Sequence, residues 1–255
     1  MPAELYYAEI DASTASLAAL VDYADPALPI PTCPGWTLLR LAEHVGEVQR
    51  RATQLVVTRS AGPADLSSVP DRQIPSAAKL RGQWLTAGAA SLIEALRGAD
   101  GAEVWAFGAV RPADTWARRV SHETMVHAAD GALAAGDEVA LPPELAADAI
   151  DEWLTILSGP IFGRPDPRAV ALPPGTSLHV HATDPELAGS GEWLVKHTED
   201  GVQVTATHAK ADAAIGGPAA DLLLVLVGRH APADPPLTIF GDHTLLDTWL
   251  TSISL

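Results

Sequence analysis

The sequence predicts an α+β chain: a four- or five-helix bundle over residues 1–160, then a small α+β domain over 161–255. Three observations predict it. Up to about residue 158 the apolar side chains recur at helical spacing, broken by proline-rich stretches. Residues 159–175 are dense in proline and glycine and read as a linker. Beyond the linker come short runs of alternating polarity, the pattern of half-buried strands.

Each element has its own reason. A first helix is expected over 3–23, where good helix formers carry apolar spacing. Residues 24–36 contain four prolines, cannot continue a helix, and make a structured loop. Thr37 is the expected N-cap of the second helix, which runs to Val57, because its hydroxyl can accept from a free N–H of the first turn. After a polar, proline-containing stretch from Ser60 to Pro75, a third helix covers 76–97 and stops before Gly98. A fourth covers 113–135, with Gly136 just past its end, and a fifth covers 145–158. Strands are expected at 176–184, 191–198 and 201–208, the last two joined by a hairpin turn. Residues 217–230 then read as a helix, 237–241 as a strand and 242–253 as a closing helix.

Bulk properties exclude several functions. A net charge of −16 argues against nucleic acid or an anionic membrane as partner. No segment approaches the roughly 18 consecutive apolar residues of a membrane span. The N-terminus lacks the basic and apolar regions of a secretory signal. A single cysteine, Cys33, leaves no internal disulfide and fits a reducing cytoplasm, which is the expected location. Lysine occurs only at Lys79, Lys196 and Lys210 against thirteen arginines, the bias of a high-GC bacterium.

Chemistry enters where polar residues interrupt apolar helix faces. In the second helix the inward stripe is Leu38, Leu41, Val45, Val48, Ala52 and Leu55, and His44 points the same way. In the fourth, the stripe begins at Trp116 and Val120 and runs into Glu123 and His127, which share a face. A buried carboxylate is costly unless it is paired or binds a cation. His44, Glu123 and His127 therefore form a candidate three-ligand site for a divalent metal, zinc above all, with one coordination position open. The alternative is a Glu–His pair that fixes helix register, with His44 a satisfied core histidine. His122 sits about 100° around the helix from Glu123 and is expected to support the site from behind or to face solvent. Asp130 lies on the same seam and can orient a ligand imidazole, or can be a surface aspartate.

Other residues carry weaker signals. Cys33 has no nucleophile motif and reads as packing. His179, His181, His197 and His208 fall in expected strands, where 179 and 181 share one face. A further metal site could form there, but solvent-facing strand histidines are the first reading. Arg229 follows an apolar helix and can reach an anionic substrate or cap that helix. There is no G-x-G-x-x-G, Walker loop or G-x-S-x-G motif.

The run 32–46 (TCPGWTLLRLAEHVG) resembles the N-terminal signature of the mycothiol-dependent maleylpyruvate isomerase family, within the wider DinB-like metal-binding bundles. Its proline–glycine–tryptophan loop opens the helix that bears His44. The stretch 122–130 (HETMVHAAD) resembles the second motif of the family and matches Glu123 and His127 to its metal ligands. Residues 216–229 and 240–242 resemble its C-terminal domain, which is similar to sterol-carrier-like modules. The resemblance implies a DinB-like four-helix bundle holding Zn2+ and using mycothiol, the low-molecular-weight thiol of actinobacteria. It implies His44, Glu123, His127 and Arg229 as catalytic residues, with Arg229 also binding a carboxylate of substrate or thiol cofactor. A zinc-bound thiolate would add to an alkene and leave after bond rotation, or would transfer sulfur to a small electrophile. Ala128 and Ala129 stand where the family commonly carries Arg-Trp, which leaves the electrophile open.

The first functional reading is therefore a zinc-dependent, mycothiol-using thiol transferase or isomerase, acting as a monomer or weak dimer. A second is a DinB-like transferase that uses bacillithiol or glutathione. A third is a non-catalytic metal-containing protein that carries an apolar ligand in its C-terminal domain.

Overall fold

The computed structural model describes residues 1–161, 164–165, 172–233 and 237–253, and its contacts divide the chain into two compact units, Met1–Val139 and Ala140–Leu255.

The first unit is a bundle of α1 (Ala3–Tyr23), α2 (Leu38–Val57), α3 (Arg81–Arg97) and α4 (Asp114–Ala135). Both α1 and α2 pack against α3 and α4, so the four apolar faces close on one core that includes Ile10, Leu17, Leu41, Leu85, Leu92 and Val120. Thr37 caps α2 as expected, accepting from the Arg40 N–H at 3.4 Å. Gly136 ends α4 in the left-handed region, at φ 78°. Between α3 and α4 lies a hairpin that the sequence reading left unassigned, β1 (Glu103–Ala106) and β2 (Ala109–Pro112). Its two turn residues, Phe107 and Gly108, both have positive φ, at 50° and 81°. Phe107 stacks on Trp116 at 6.1 Å, a contact that offsets the cost of its left-handed backbone.

The second unit begins with α5 (Pro143–Ser158) and the short strands β3 (Pro160–Ile161) and β4 (Arg164–Pro165). A five-stranded sheet follows, built from β5 (Ser177–Ala182), β6 (Glu192–Thr198), β7 (Gly201–Thr205), β8 (Ala213–Gly217) and β9 (Thr238–Gly241) in the order β7-β6-β5-β8-β9. Helices α6 (Ala219–Leu226) and α7 (His243–Ile253) complete it. The pairs β5–β6, β6–β7 and β8–β9 are antiparallel, while β8 runs parallel to β5. Register puts Leu178 and Val180 beside Val195 and Trp193 on one side and Ala213 and Ile215 on the other, all buried. His179, His181 and Glu192 stand on the opposite face.

One boundary differs from expectation. The sequence puts the division at 160/161, whereas contacts place it at 139/140, because α5 packs on α6 and β7. The middle of the linker read from the sequence, 162–163 and 166–171, lies outside the described residues. Among the described residues no helix is long and apolar enough to cross a membrane.

Gly46 lets α2 approach Trp84 of α3: a Cβ there would lie 2.1 Å from the indole ring. The ring has little room to yield. Arg50 covers its face at 3.9 Å, and its N–H donates to the Asp71 carbonyl at 2.8 Å. Gly46→Ala is expected to lower the urea unfolding midpoint, because overpacking of about 1–3 kcal/mol exceeds a helix-propensity gain of at most about 1 kcal/mol. An unchanged midpoint would show that the ring moves aside.

Candidate metal centre

The site lies within the first unit, where α2 and α4 pack together. His44 from α2, and Glu123 and His127 from α4, bring their ligand atoms within 4.8 Å of one another. His44 Nε2 lies 2.9 Å from Glu123 Oε1, and the His44 and His127 rings meet edge-on at 4.9 Å. The second carboxylate oxygen of Glu123 accepts from Arg119 Nε, one turn earlier on α4, at 3.3 Å. The three sequence-predicted ligands thus converge.

Glu123 is tuned by competing effects. Removal from water alone would raise its pKa. The His44 hydrogen bond and the positive charges of Arg119, His127 and His44 outweigh that and bring it from an ordinary 4.5 to about 2. The carboxylate is a formed anion at neutral pH, the state a cation requires. Its side chain keeps 19 % of its surface exposed, so the site is sheltered but open.

His127 is held from the other side. Its Nδ1 lies 2.8 Å from Asp130 Oδ2, one turn later on α4. Asp130 is fully buried, and its Oδ1 accepts from Thr32 Oγ1 at 2.6 Å while Cys33 Sγ donates to Oδ2 at 3.4 Å. Paired with an ionised carboxylate, a neutral imidazole carries its proton on Nδ1 and presents the Nε2 lone pair. Of the two roles the sequence left open for Asp130, the structure selects the support of His127. Cys33, His127 and Asp130 also fall within 4.8 Å of one another. Asp130, however, has both oxygens engaged by Thr32, Cys33 and His127, which marks that group as the buttress of His127.

The loop 24–37 delivers Thr32 and Cys33. It is folded by its own backbone bonds, Cys33 N–H to the Ile30 carbonyl at 3.0 Å and Trp36 N–H to the Cys33 carbonyl at 2.9 Å, with Gly35 at φ 83° making the turn. Trp36 then sits against both ligand histidines, 5.0 Å from His44 and stacked on His127 at 5.9 Å. Thr32, Trp36 and Arg119 were not singled out as site residues on the sequence; only the placement of tryptophan in the loop motif could have drawn attention to it.

Other expectations fare differently. His122 is buried against Tyr6, its ring edge-on at 5.9 Å, so it does not face solvent. Arg229 belongs to the second unit, where it is 8 % exposed and donates from Nη1 to the Val227 carbonyl at 2.6 Å, the posture of a helix cap. His179 is buried rather than solvent-facing, and with His181 and His208 it gathers at Glu192. His197 turns its Nδ1 to the Leu172 carbonyl instead. Ala129 is buried in α4, and Ala128 is half-buried.

Residues 7–132 match the family model described as the mycothiol maleylpyruvate isomerase N-terminal domain, and residues 144–248 match the MDMPI C-terminal domain. The chain belongs to the mycothiol-dependent maleylpyruvate isomerase family. A crystal structure of a mycothiol-dependent maleylpyruvate isomerase is similar over 94 % of this chain and 93 % of that one, with a TM-score of 0.57 at 15 % identity. A histidine-to-alanine mutant of such an isomerase is similar over the same shares, with a TM-score of 0.58 at 14 % identity. These likenesses establish a common α+β fold. No curated protein sequence matches the chain significantly.

Two outcomes follow for the site. Asp130→Asn keeps the shape but replaces the carboxyl that pairs with His127 Nδ1, and is expected to weaken zinc affinity about 10–100-fold in a competition titration; unchanged affinity would show that Asp130 is only a packing element. Glu123, whose folded pKa lies below its unfolded value, adds stability that is full above pH 4.5 and is lost as pH falls toward about 2. Metal-free Glu123→Gln is therefore expected to lose less stability than the parent across that window in acid unfolding followed by tryptophan fluorescence. Parallel losses would remove the ionised Glu123 from the account.

Proposed function

We propose that His44, Glu123 and His127 hold a divalent zinc ion, and that the chain is a mycothiol-dependent isomerase or S-transferase acting on a small electrophile. The observation that carries this reading is the convergence of two imidazoles and one ionised carboxylate, with His127 locked by a buried Asp130, in a chain of this family. Three protein donors are the set used by catalytic zinc sites, which keep one position for a ligand. Zinc bound there would lower the pKa of an incoming thiol and supply it as thiolate near neutral pH.

The residues of the chain supply the rest. Two neutral imidazoles and one carboxylate leave a dication with net positive charge, which favours an anionic thiol. Asp130 holds the His127 imidazole in place, and the His44–Glu123 contact brings those two candidate ligands together. Trp36 covers the histidines on one side and limits water there. A thiolate held there would supply reversible addition to an alkene conjugated to a carbonyl, with rotation about the resulting single bond and elimination returning the thiolate, so that nothing is consumed. In the S-transfer outcome the new carbon–sulfur bond is kept and a leaving group departs. Arg229 is assigned the binding of a carboxylate from substrate or thiol, a role that rests on its place in the C-terminal family motif.

The test is conversion of maleylpyruvate and related small electrophiles by zinc-loaded protein, with mycothiol, bacillithiol or glutathione supplied singly. Turnover is expected with mycothiol. His44→Ala and Glu123→Ala are expected to reduce it by roughly a hundredfold or more, the loss of several kcal/mol of transition-state stabilisation. Turnover with another thiol alone would reassign the co-substrate. Zinc in a closed four-ligand shell without turnover would turn the reading to the ligand-carrying protein.

A further inference from the structure

The second unit gathers metal-ligating side chains that the thiol chemistry does not use. His179 and His181 leave the same face of β5, and register sets His181 directly opposite Glu192 on β6. His208, from the segment after β7, completes the group. His179 Nε2 lies 3.2 Å from Glu192 Oε2 and His181 Nε2 lies 3.6 Å from Glu192 Oε1, while His208 Nδ1 also meets Oε2. The three rings lie 5.2–6.3 Å apart, centroid to centroid.

We propose that His179, Glu192 and His208, with His181 as fourth donor, form a structural site for a borderline divalent cation, zinc being the first choice. One nitrogen from each imidazole is directed at the same carboxylate. The ligand atoms of His179, Glu192 and His208 already fall within 4.8 Å of one another. A tetrahedral zinc shell, with bonds of about 2.0–2.1 Å, spaces its donors roughly 3.3–3.4 Å apart. The His179–Glu192 and His181–Glu192 separations, 3.2 and 3.6 Å, bracket that spacing, while the closer His208–Glu192 contact would open to admit the ion.

Chemistry and placement favour a cation over a plain ionic cluster. Neutral imidazole and carboxylate are donors suited to zinc. His208 is 77 % exposed and comes from a segment without regular structure, and its hydrogen bond to Glu192 holds the ring over the sheet face. His179 is buried beneath it, which gives the site a sheltered inner wall and an open outer one. His179, Glu192 and His208 supply three donors, and His181, whose Nε2 lies 3.6 Å from Glu192 Oε1, would complete a tetrahedron, the closed shell of a structural ion. Bound metal would tie the segment after β7 to β5 and β6, and would stabilise the sheet as binding energy becomes folding energy.

The test uses untagged full-length protein in which His44→Ala and His127→Ala remove the first candidate site. After gel filtration through a weak chelator this variant is expected to retain about one zinc per chain. Cobalt substitution should give the intense visible bands of a tetrahedral ion, and zinc should raise the thermal midpoint. Adding His179→Ala and His208→Ala should abolish all three effects. In the otherwise native chain the same two changes should lower the content from about two zinc ions to about one, which keeps the test informative if the first variant does not fold. A variant lacking the first site that holds no zinc would overturn the proposal. So would zinc retained after loss of His179 and His208, since the ion would then sit elsewhere. Both outcomes leave the thiol-activating site untouched, because a chain lacking His179 and His208 still tests it.

Discussion

Asp130 is a carboxylate with no exposed surface, on a helix, in the interior of a bundle. Left unpaired, it would cost several kcal/mol and unsettle α4 where the candidate ligands reside. It is instead matched by Thr32, Cys33 and His127. Intramolecular hydrogen bonds contribute about 0.5–1.5 kcal/mol each, so the loop 24–37 and α4 are fastened at this point. The fastening reaches outward. It fixes the loop that carries Trp36, and it fixes the tautomer and direction of His127. Those two outcomes define one wall of the candidate centre and one of its ligands.

Glu123 occupies the complementary position on the same helix. It takes a donor from each side, His44 across the helix interface and Arg119 from the preceding turn. Its charge is maintained against burial by those neighbours, which is the electrostatic counterpart of what a bound cation would do. The arrangement is preorganised: one carboxylate holds a candidate ligand, and the other is itself a candidate ligand held ionised.

How much of this was legible depends on where each residue obtains its role. His44, Glu123 and His127 were visible because a polar side chain on an apolar helix face is anomalous at the level of periodicity. Asp130 was half visible: its spacing from His127 is local, but its burial depends on Thr32, 98 residues away in the chain. Trp36 as a wall depends on a loop whose fold comes from its own turns. In the second unit, β8 was missed because its five residues, Ala-Ala-Ile-Gly-Gly, have little strand propensity. The segment becomes a strand because β5 and β9 flank it, so context overrides composition. The amphipathic pattern of α5 predicted a helix correctly but could not say which neighbour its apolar face would meet. Strand alternation put His179 and His181 together, yet only the register of β5 on β6 brings Glu192 to them.

The most direct measurement is X-ray absorption at the zinc edge, on protein carrying His179→Ala and His208→Ala so that only the first centre contributes. Before thiol is added, the account predicts a shell of nitrogen and oxygen alone, including two imidazoles. On adding mycothiol, it predicts one new sulfur scatterer at about 2.3 Å, absent in His44→Ala. A shell that never gains sulfur, or a chain that binds no zinc at these residues, would contradict the account.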